Sequence, residues 1–506
     1  MSLKGVLKLL AAFSMSQGVS LVTQVLVPPL FLHRYAHGLE MYGEWVALTA
    51  AISYLGTLNF GIQNYANNQM TLHYNRGELE QARIVQSSAL RLILIMVLVA
   101  TAMGTAILFM PVSQWIGLRH ISSRAASMTL FVMVVQLVAT WFFAFLTNSY
   151  QVIGELHRGA NWQNVQRLTA VLAMTAFLWI RGSFPVLALT QLASMVVFVA
   201  IIVIEIRVRA PILLPSLRQG NRNDMMAVLK PSAYYGLYAL CNFLAFQGPV
   251  LLMQKLLGPA SVAVFALSRT IFSMSRQLLA ILSYSVGQET INLIAQRSWA
   301  QLRRIYDLSE RVVFLVVPAI TVGALLASPL LFTVWLHHRA LYEPGMCMLM
   351  AGVSAVMGIK EHKYMFQFLS NRHESVSRFS FEVYAAMTVV SAMTLRRWGV
   401  DALMVAWLLA EVAITAYIVA QNRKLFPPEF RPSLAPLPRM AMVLGVAFAA
   451  VVWPATHDQA WPLFRVGMVA ILGSGVLAVV SYFVFGLKEV RDVFGSRWRR
   501  RFVSIG

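Results

Sequence analysis

Three residues of this sequence stand in a pattern that could do chemistry. Arg269, Ser273 and Arg276 recur at i, i+4 and i+7 in an otherwise apolar stretch, so two guanidiniums and a hydroxyl share one face of a helix. Arg269 follows Gly258 by about eleven residues, about 16 Å along a helix, which is near the middle of a bilayer if the stretch spans one. A charge at that depth is expensive and faces an interior or a cavity rather than lipid. The planar guanidinium fork donates two hydrogen bonds at once and suits phosphate oxygens. The competing reading of the pair is an internal ion pair or carbonyl contact that holds helices together.

Other polar groups sit in apolar surroundings. Gln24, with Gln17 and Ser20, forms one face of the first apolar stretch, and Ser53, with Thr49 and Asn64, one face of the second. Such groups could bond sugar hydroxyls, although small polar residues also join transmembrane helices. Tyr238 and Asn242 are cavity candidates, because a tyrosine face can stack on a pyranose ring; Tyr234 and Tyr235 read as interface anchors. Glu44 and Glu411 could bind a coupling proton or cation, with a neighbouring cation as the structural alternative. The run Lys360-Glu361-His362-Lys363 reads as a self-compensating charged cluster, with a gate as the rival. Pro29 and Pro249 are hinge candidates.

These groups must be placed by membrane helices. The 506 residues are 58% hydrophobic and 12% charged, with mean hydropathy +0.66, far from the roughly 25% charge of soluble domains. The net charge of +21 is spread over short loops and not gathered on a basic module, which argues against nucleic acid. Cys241 and Cys347 both lie in apolar stretches and predict buried thiols, not a disulfide framework. No metal-ligand spacing, phosphate loop or nucleophile elbow is present, and no cofactor is expected.

A bilayer needs about 20 mostly apolar residues per helix. Fourteen stretches qualify: 8–32, 41–64, 85–111, 124–148, 163–181, 184–206, 232–255, 260–287, 308–336, 342–369, 378–395, 400–421, 438–457 and 463–486. The first has the basic flank of a signal peptide but is long and lacks a small-residue cleavage site, so it reads as a retained span. With alternating sides, Arg34, Arg119, Arg124, Arg181, Lys255, Arg339, Arg396, Arg397 and Arg465 fall opposite the N-terminus. Arg269 and Arg276 fall inside a span, and every other Lys and Arg shares the N-terminal side. The positive-inside rule then predicts both termini in the cytoplasm. The connections, longest at 207–231 and 288–307, leave no room for a soluble catalytic domain, so no enzyme is expected.

A shift of 220 residues pairs Pro29 with Pro249, Gly38 with Gly258, Ser53 with Ser273 and Arg91 with Arg311. Each half would hold six spans and start from the same side. The expected organisation is an all-α polytopic membrane protein with about 14 transmembrane helices in two pseudo-symmetric six-helix bundles. These are residues 1–206 and 232–424, joined by a cytoplasmic linker, 207–231; residues 425–506 add a C-terminal helix pair and a basic tail.

With Gly38-Leu39-Glu40-Met41-Tyr42-Gly43-Glu44-Trp45, Leu58-Asn59-Phe60-Gly61-Ile62 and Gly77-Glu78-Leu79-Glu80-Gln81-Ala82, the chain resembles polysaccharide-biosynthesis flippases. These O-antigen and oligosaccharide flippases belong to the multidrug/oligosaccharidyl-lipid/polysaccharide exporter superfamily, and the likeness of pattern covers roughly residues 8–425. The resemblance implies alternating-access movement of a polyprenyl-diphosphate-linked oligosaccharide from the cytoplasmic to the outer leaflet of a bacterial inner membrane. It also implies contact with membrane lipids and with a glycan polymerase or glycosyltransferases. A multidrug exporter of the same superfamily is the nearest alternative, although intramembrane arginines suit an anionic cargo better than drug cations. A membrane enzyme acting on lipid-linked glycans is the more distant one, since it would be expected to carry a large outer loop with catalytic acids.

Overall fold

The computed structural model describes residues 3–57, 61–273, 290, 293–294, 296–338, 341–370, 374–434, 438–439, 442, 445, 471 and 473–478. The side chains of 3–10, 13, 64, 231 and 233–235 are outside that description. Among the described residues the regular structure is helical throughout. Lipid offers no partners for backbone N–H and C=O groups, and a helix satisfies its own.

The helices are α1 (Leu3–Arg34), α2 (Gly38–Gly56), α3 (Ile62–Asn75), α4 (Leu79–Ile107), α5 (Val112–Ile116), α6 (Ser123–Asn148) and α7 (Leu156–Trp179). There follow α8 (Phe184–Arg209), α9 (Arg222–Phe246), α10 (Gly248–Leu256), α11 (Pro259–Ser273), α12 (Trp299–Val334), α13 (Pro344–Leu369) and α14 (Glu374–Leu425). Seven described helices are long and apolar enough to cross a membrane, and the chain is a multi-pass membrane protein. Polar residues such as Glu40 and Glu44 in α2, and Lys360 through Lys363 in α13, interrupt the apolar character of helices expected to span. The last two expected spans lie almost wholly outside the described residues.

Two expected spans are each built from two helices. The stretch at 41–64 is α2, which stops at Gly56, and α3, which opens after Gly61 at a φ of 64°. The stretch at 232–255 is α9 and α10, which meet at Gln247. Conversely, the spans at 378–395 and 400–421 join in α14 across Gly399, whose φ of 67° and ψ of −161° are not helical. Phe379 and Tyr417, on either side of Gly399, stack at 4.2 Å. The two halves of α14 therefore fold back on each other as a hairpin.

The chain forms two compact units. One holds residues 1–266 and 384–399, the other 267–383 and 400–506. In the first, α6 packs on α8 and α1 on α7. Phe31, Trp45 and Phe184 form an aromatic cluster with centroids 5.4–6.1 Å apart, and the Tyr35 hydroxyl donates to the Gly182 carbonyl at 2.5 Å. Arg91 of α4 donates to the carbonyls of Gly220 and Leu217, tying down the segment after α8. In the second unit, α12 packs on α13, and Arg303 of α12 donates to the Phe430 carbonyl after α14 at 3.1 Å. A basic residue in the N-terminal half of α4 and of α12 thus holds a later segment of its own unit.

Candidate functional site

In the second unit, α11 presents a polar face beside an apolar one. Ser268, Ile271 and Phe272 are buried. The Ser354 hydroxyl of α13 donates to the Phe272 carbonyl at 3.2 Å, and the buried Cys347 thiol approaches Ser268 at 3.9 Å. That packing fixes the rotation of the helix and leaves Arg269, Thr270 and Ser273 partly exposed. The Ser273 hydroxyl donates to the Thr270 carbonyl at 2.9 Å. Arg276 lies outside the described residues.

A second polar set in this unit is buried. Glu411 of α14 has no exposed surface; Lys360 of α13 reaches it at 2.7 Å, and the Trp407 indole donates to it at 3.1 Å. Three residues on, Lys363 pairs with Glu310 of α12, donates to the Tyr306 hydroxyl at 2.9 Å and lies over the Tyr306 ring. Its backbone carbonyl accepts from Asn422 at 2.9 Å, and Gln367 donates to Asn422 at 2.7 Å. His362 is hydrogen-bonded to Ser309 at 2.8 Å. Lys360 and Lys363 are thus compensated by acids on neighbouring helices, not within their own run. Glu310, Tyr306 and Asn422 were not singled out from sequence. Glu310 follows Ser309 and precedes Arg311, a pattern that reads as solvated surface until α13 supplies the lysine.

In the first unit, Glu44 is fully buried near the start of α2. Its Oε1 accepts from the backbone N–H groups of Arg119 at 2.5 Å and His120 at 2.8 Å, and His120 Nδ1 lies at 3.3 Å. Oε2 has no hydrogen-bond partner among the described residues. Buried polar groups without a partner are uncommon and call for a reason.

The remaining sequence candidates serve their own helices. Gln24 donates to Ser20 at 3.4 Å, Ser53 to the Thr49 carbonyl at 2.9 Å and Asn242 to the Tyr238 carbonyl at 3.0 Å. Pro29 lies inside a continuous α1, whereas Pro249 opens α10 at a helix junction. Cys241 and Cys347 are free and buried. Among the described residues no cluster of metal-ligating side chains is present.

No family model and no curated protein sequence matches the chain. Solved structures do match. The lipid II flippase MurJ in an inward closed conformation has a TM-score of 0.69 at 11% identity, covering 96% of this chain and 99% of that one. An outward-facing multidrug resistance MATE family transporter of the MOP superfamily has 0.63 at 14%, covering 85% and 97%. The MATE multidrug transporter DinF-BH has 0.62 at 15%, covering 84% and 96%. The class is therefore clear: a multi-pass α-helical membrane protein with the fold of MurJ and the MATE transporters. At these identities the likeness is one of fold.

Proposed function

We propose that the protein is a flippase that moves a polyprenyl-diphosphate-linked oligosaccharide from the cytoplasmic to the outer leaflet of a bacterial inner membrane by alternating access. The observation that carries this reading is the partly exposed polar face of α11. It joins Arg269 to a hydroxyl on a helix whose other face is packed, in a fold shared over nearly the whole chain with a lipid II flippase. Such a cargo has a lipid tail that can stay in the bilayer, a polar glycan, and a diphosphate whose charge must be met on the way across. Arg269, with Arg276, meets the diphosphate; Ser273, Ser53, Gln24, Tyr238 and Asn242 contact the cargo's polar parts.

In this reading residues 1–206 and 232–424 are the two bundles that rock, Pro29 and Pro249 lie where they flex, and both termini are cytoplasmic. Glu44 or Glu411 carries the coupling ion, and a glycan polymerase or glycosyltransferases work alongside. The protein itself makes and breaks no covalent bond. A multidrug exporter is the second reading, favoured by the MATE matches. Against it, Glu411 is already matched by Lys360, and a drug cation would have to displace that ammonium.

The test is reconstitution of the purified protein in liposomes with a fluorescent polyprenyl-diphosphate oligosaccharide, comparing wild type with Arg269→Ala. Movement by wild type and its loss in a folded Arg269→Ala variant is the expected result. No movement of any such lipid, with transport of organic cations instead, would replace this reading with the multidrug one.

A further inference from the structure

The groups around Glu44 do more than join two segments. The 114–120 segment that Glu44 holds is also the surface on which the α10–α11 turn rests. Gln254 donates to the Gly117 carbonyl at 2.9 Å and Lys255 to the Gln114 carbonyl at 2.6 Å. The Arg119 guanidinium stands against Gly258, and Gly43, beside Glu44, lies so close to the Pro259 carbonyl that no Cβ fits. These contacts close the α10–α11 turn onto the 114–120 segment, a seal that the carboxylate of Glu44 holds in place from α2.

The bonding of that carboxylate is lopsided. Two backbone N–H groups and the His120 Nδ1 face Oε1, while Oε2 is buried and meets no hydrogen-bond partner among the described residues. A proton can settle on Oε2 without displacing either backbone donor. A metal ion would need several oxygen ligands, and the neighbours aimed at this carboxylate are N–H groups. The His120 side chain is 26% exposed and the Glu44 side chain 0%. The proton comes from a hydronium ion of the solvent, which is left as water, and it forms the O–H bond on Oε2.

We propose that Glu44 is a proton-binding site that controls this seal. Ionised, it holds the backbone of Arg119 and His120 by charge-assisted bonds, roughly twice as strong as neutral ones. Protonated, it loosens its hold, and the α10–α11 turn loses its platform. The charged and titratable groups around it are Glu40 on α2; His37, whose ring lies 5.1 Å from that of His120; Arg119 and His120 on the loop; and Lys255 on α10. Farther out are Arg34, which lies over Trp179, and Arg124 at the exposed start of α6. The proposal rests on the alternating-access reading, in which this end faces outward and acid outside opens it.

The test reads distance, not transport. Nitroxide labels at Ser123→Cys and Leu257→Cys, with Cys241 and Cys347 replaced by alanine, are measured by pulsed electron resonance in lipid nanodiscs without cargo. Between about pH 7 and about pH 3, on either side of the ordinary carboxylate range, wild type is expected to shift from a short to a longer distance. Glu44→Gln should give one distance at both pH values, and Glu44→Ala the long distance at both. A Glu44→Gln variant that follows the wild-type pH profile, or a wild type with no shift, overturns the proposal. If Glu44→Gln does not assemble, His120→Gln, which keeps both backbone donors, should retain the pH response; its loss would make His120 the proton site instead. Failure of liposome transport would leave these distances unaffected, so the two readings fall separately.

Discussion

Lys360 of α13 and Glu411 of α14 face each other at 2.7 Å, both buried. Taking two charges out of water is costly, and their attraction repays it only while both are present. Lys360→Met alone strands Glu411 and should destabilise the protein by about 3–5 kcal/mol, whereas Lys360→Met with Glu411→Leu should recover most of that loss. Thermal unfolding in detergent reads the stability. Liposome transport then separates roles: a stable double variant that no longer moves cargo makes the pair functional, and one that still does makes it structural.

Gly43→Ala tests the seal by sterics. A methyl at residue 43 must displace the backbone at Pro259, and overpacking of this kind costs about 1–3 kcal/mol. The expected result is a lengthened Ser123 to Leu257 distance at every pH, in contrast to the pH-dependent wild type.

Gly399→Ala tests the hairpin. At a φ of 67° and ψ of −161° the backbone occupies a region open essentially to glycine, and a side chain there costs about 1–3 kcal/mol. Nothing crowds the added Cβ within 4 Å, so the loss is conformational. Alanine at the helical Gly352, whose Cβ would meet only Leu408 side-chain atoms at 3.6 Å, should be much milder.

Tyr35 predicts an alkaline effect. Burial pushes its hydroxyl up to about 12, so the folded state favours the neutral phenol that donates to Gly182. That contribution is complete below the ordinary value near 10 and is lost as pH rises toward about 12. Wild type should therefore exceed Tyr35→Phe in stability by about 1 kcal/mol at neutral pH. The advantage should vanish across that alkaline interval, as measured by unfolding at a series of pH values.

Much of the fold was legible because lipid imposes a simple rule, long apolar helices with basic loops. The expected spans 124–148 and 184–206 meet α6 and α8 almost end for end. Less legible was where helices break. Gly61 and Gln247 divide expected spans, since a local change of backbone direction leaves hydropathy nearly untouched. The polar site was legible by residue type but not by pairing. Glu411 stood out in an apolar run, yet its partner lies 51 positions earlier in the chain, and neither residue carries a local sign of the other. His120 was passed over because a histidine in a short loop looks solvated; only the packing of the loop on α2 brings its ring to Glu44.

The α14 hairpin has a consequence for biogenesis. Two bilayer-crossing helices joined through one glycine leave no slack for the first to be threaded and anchored while the second waits in water. They must enter the membrane as a pair. Glu411 therefore enters with the hairpin, before or as α13 brings Lys360 to meet it. A chain stalled by the ribosome just past Gly399 would present half a hairpin, a substrate for membrane quality control and not an intermediate on the way to the native fold.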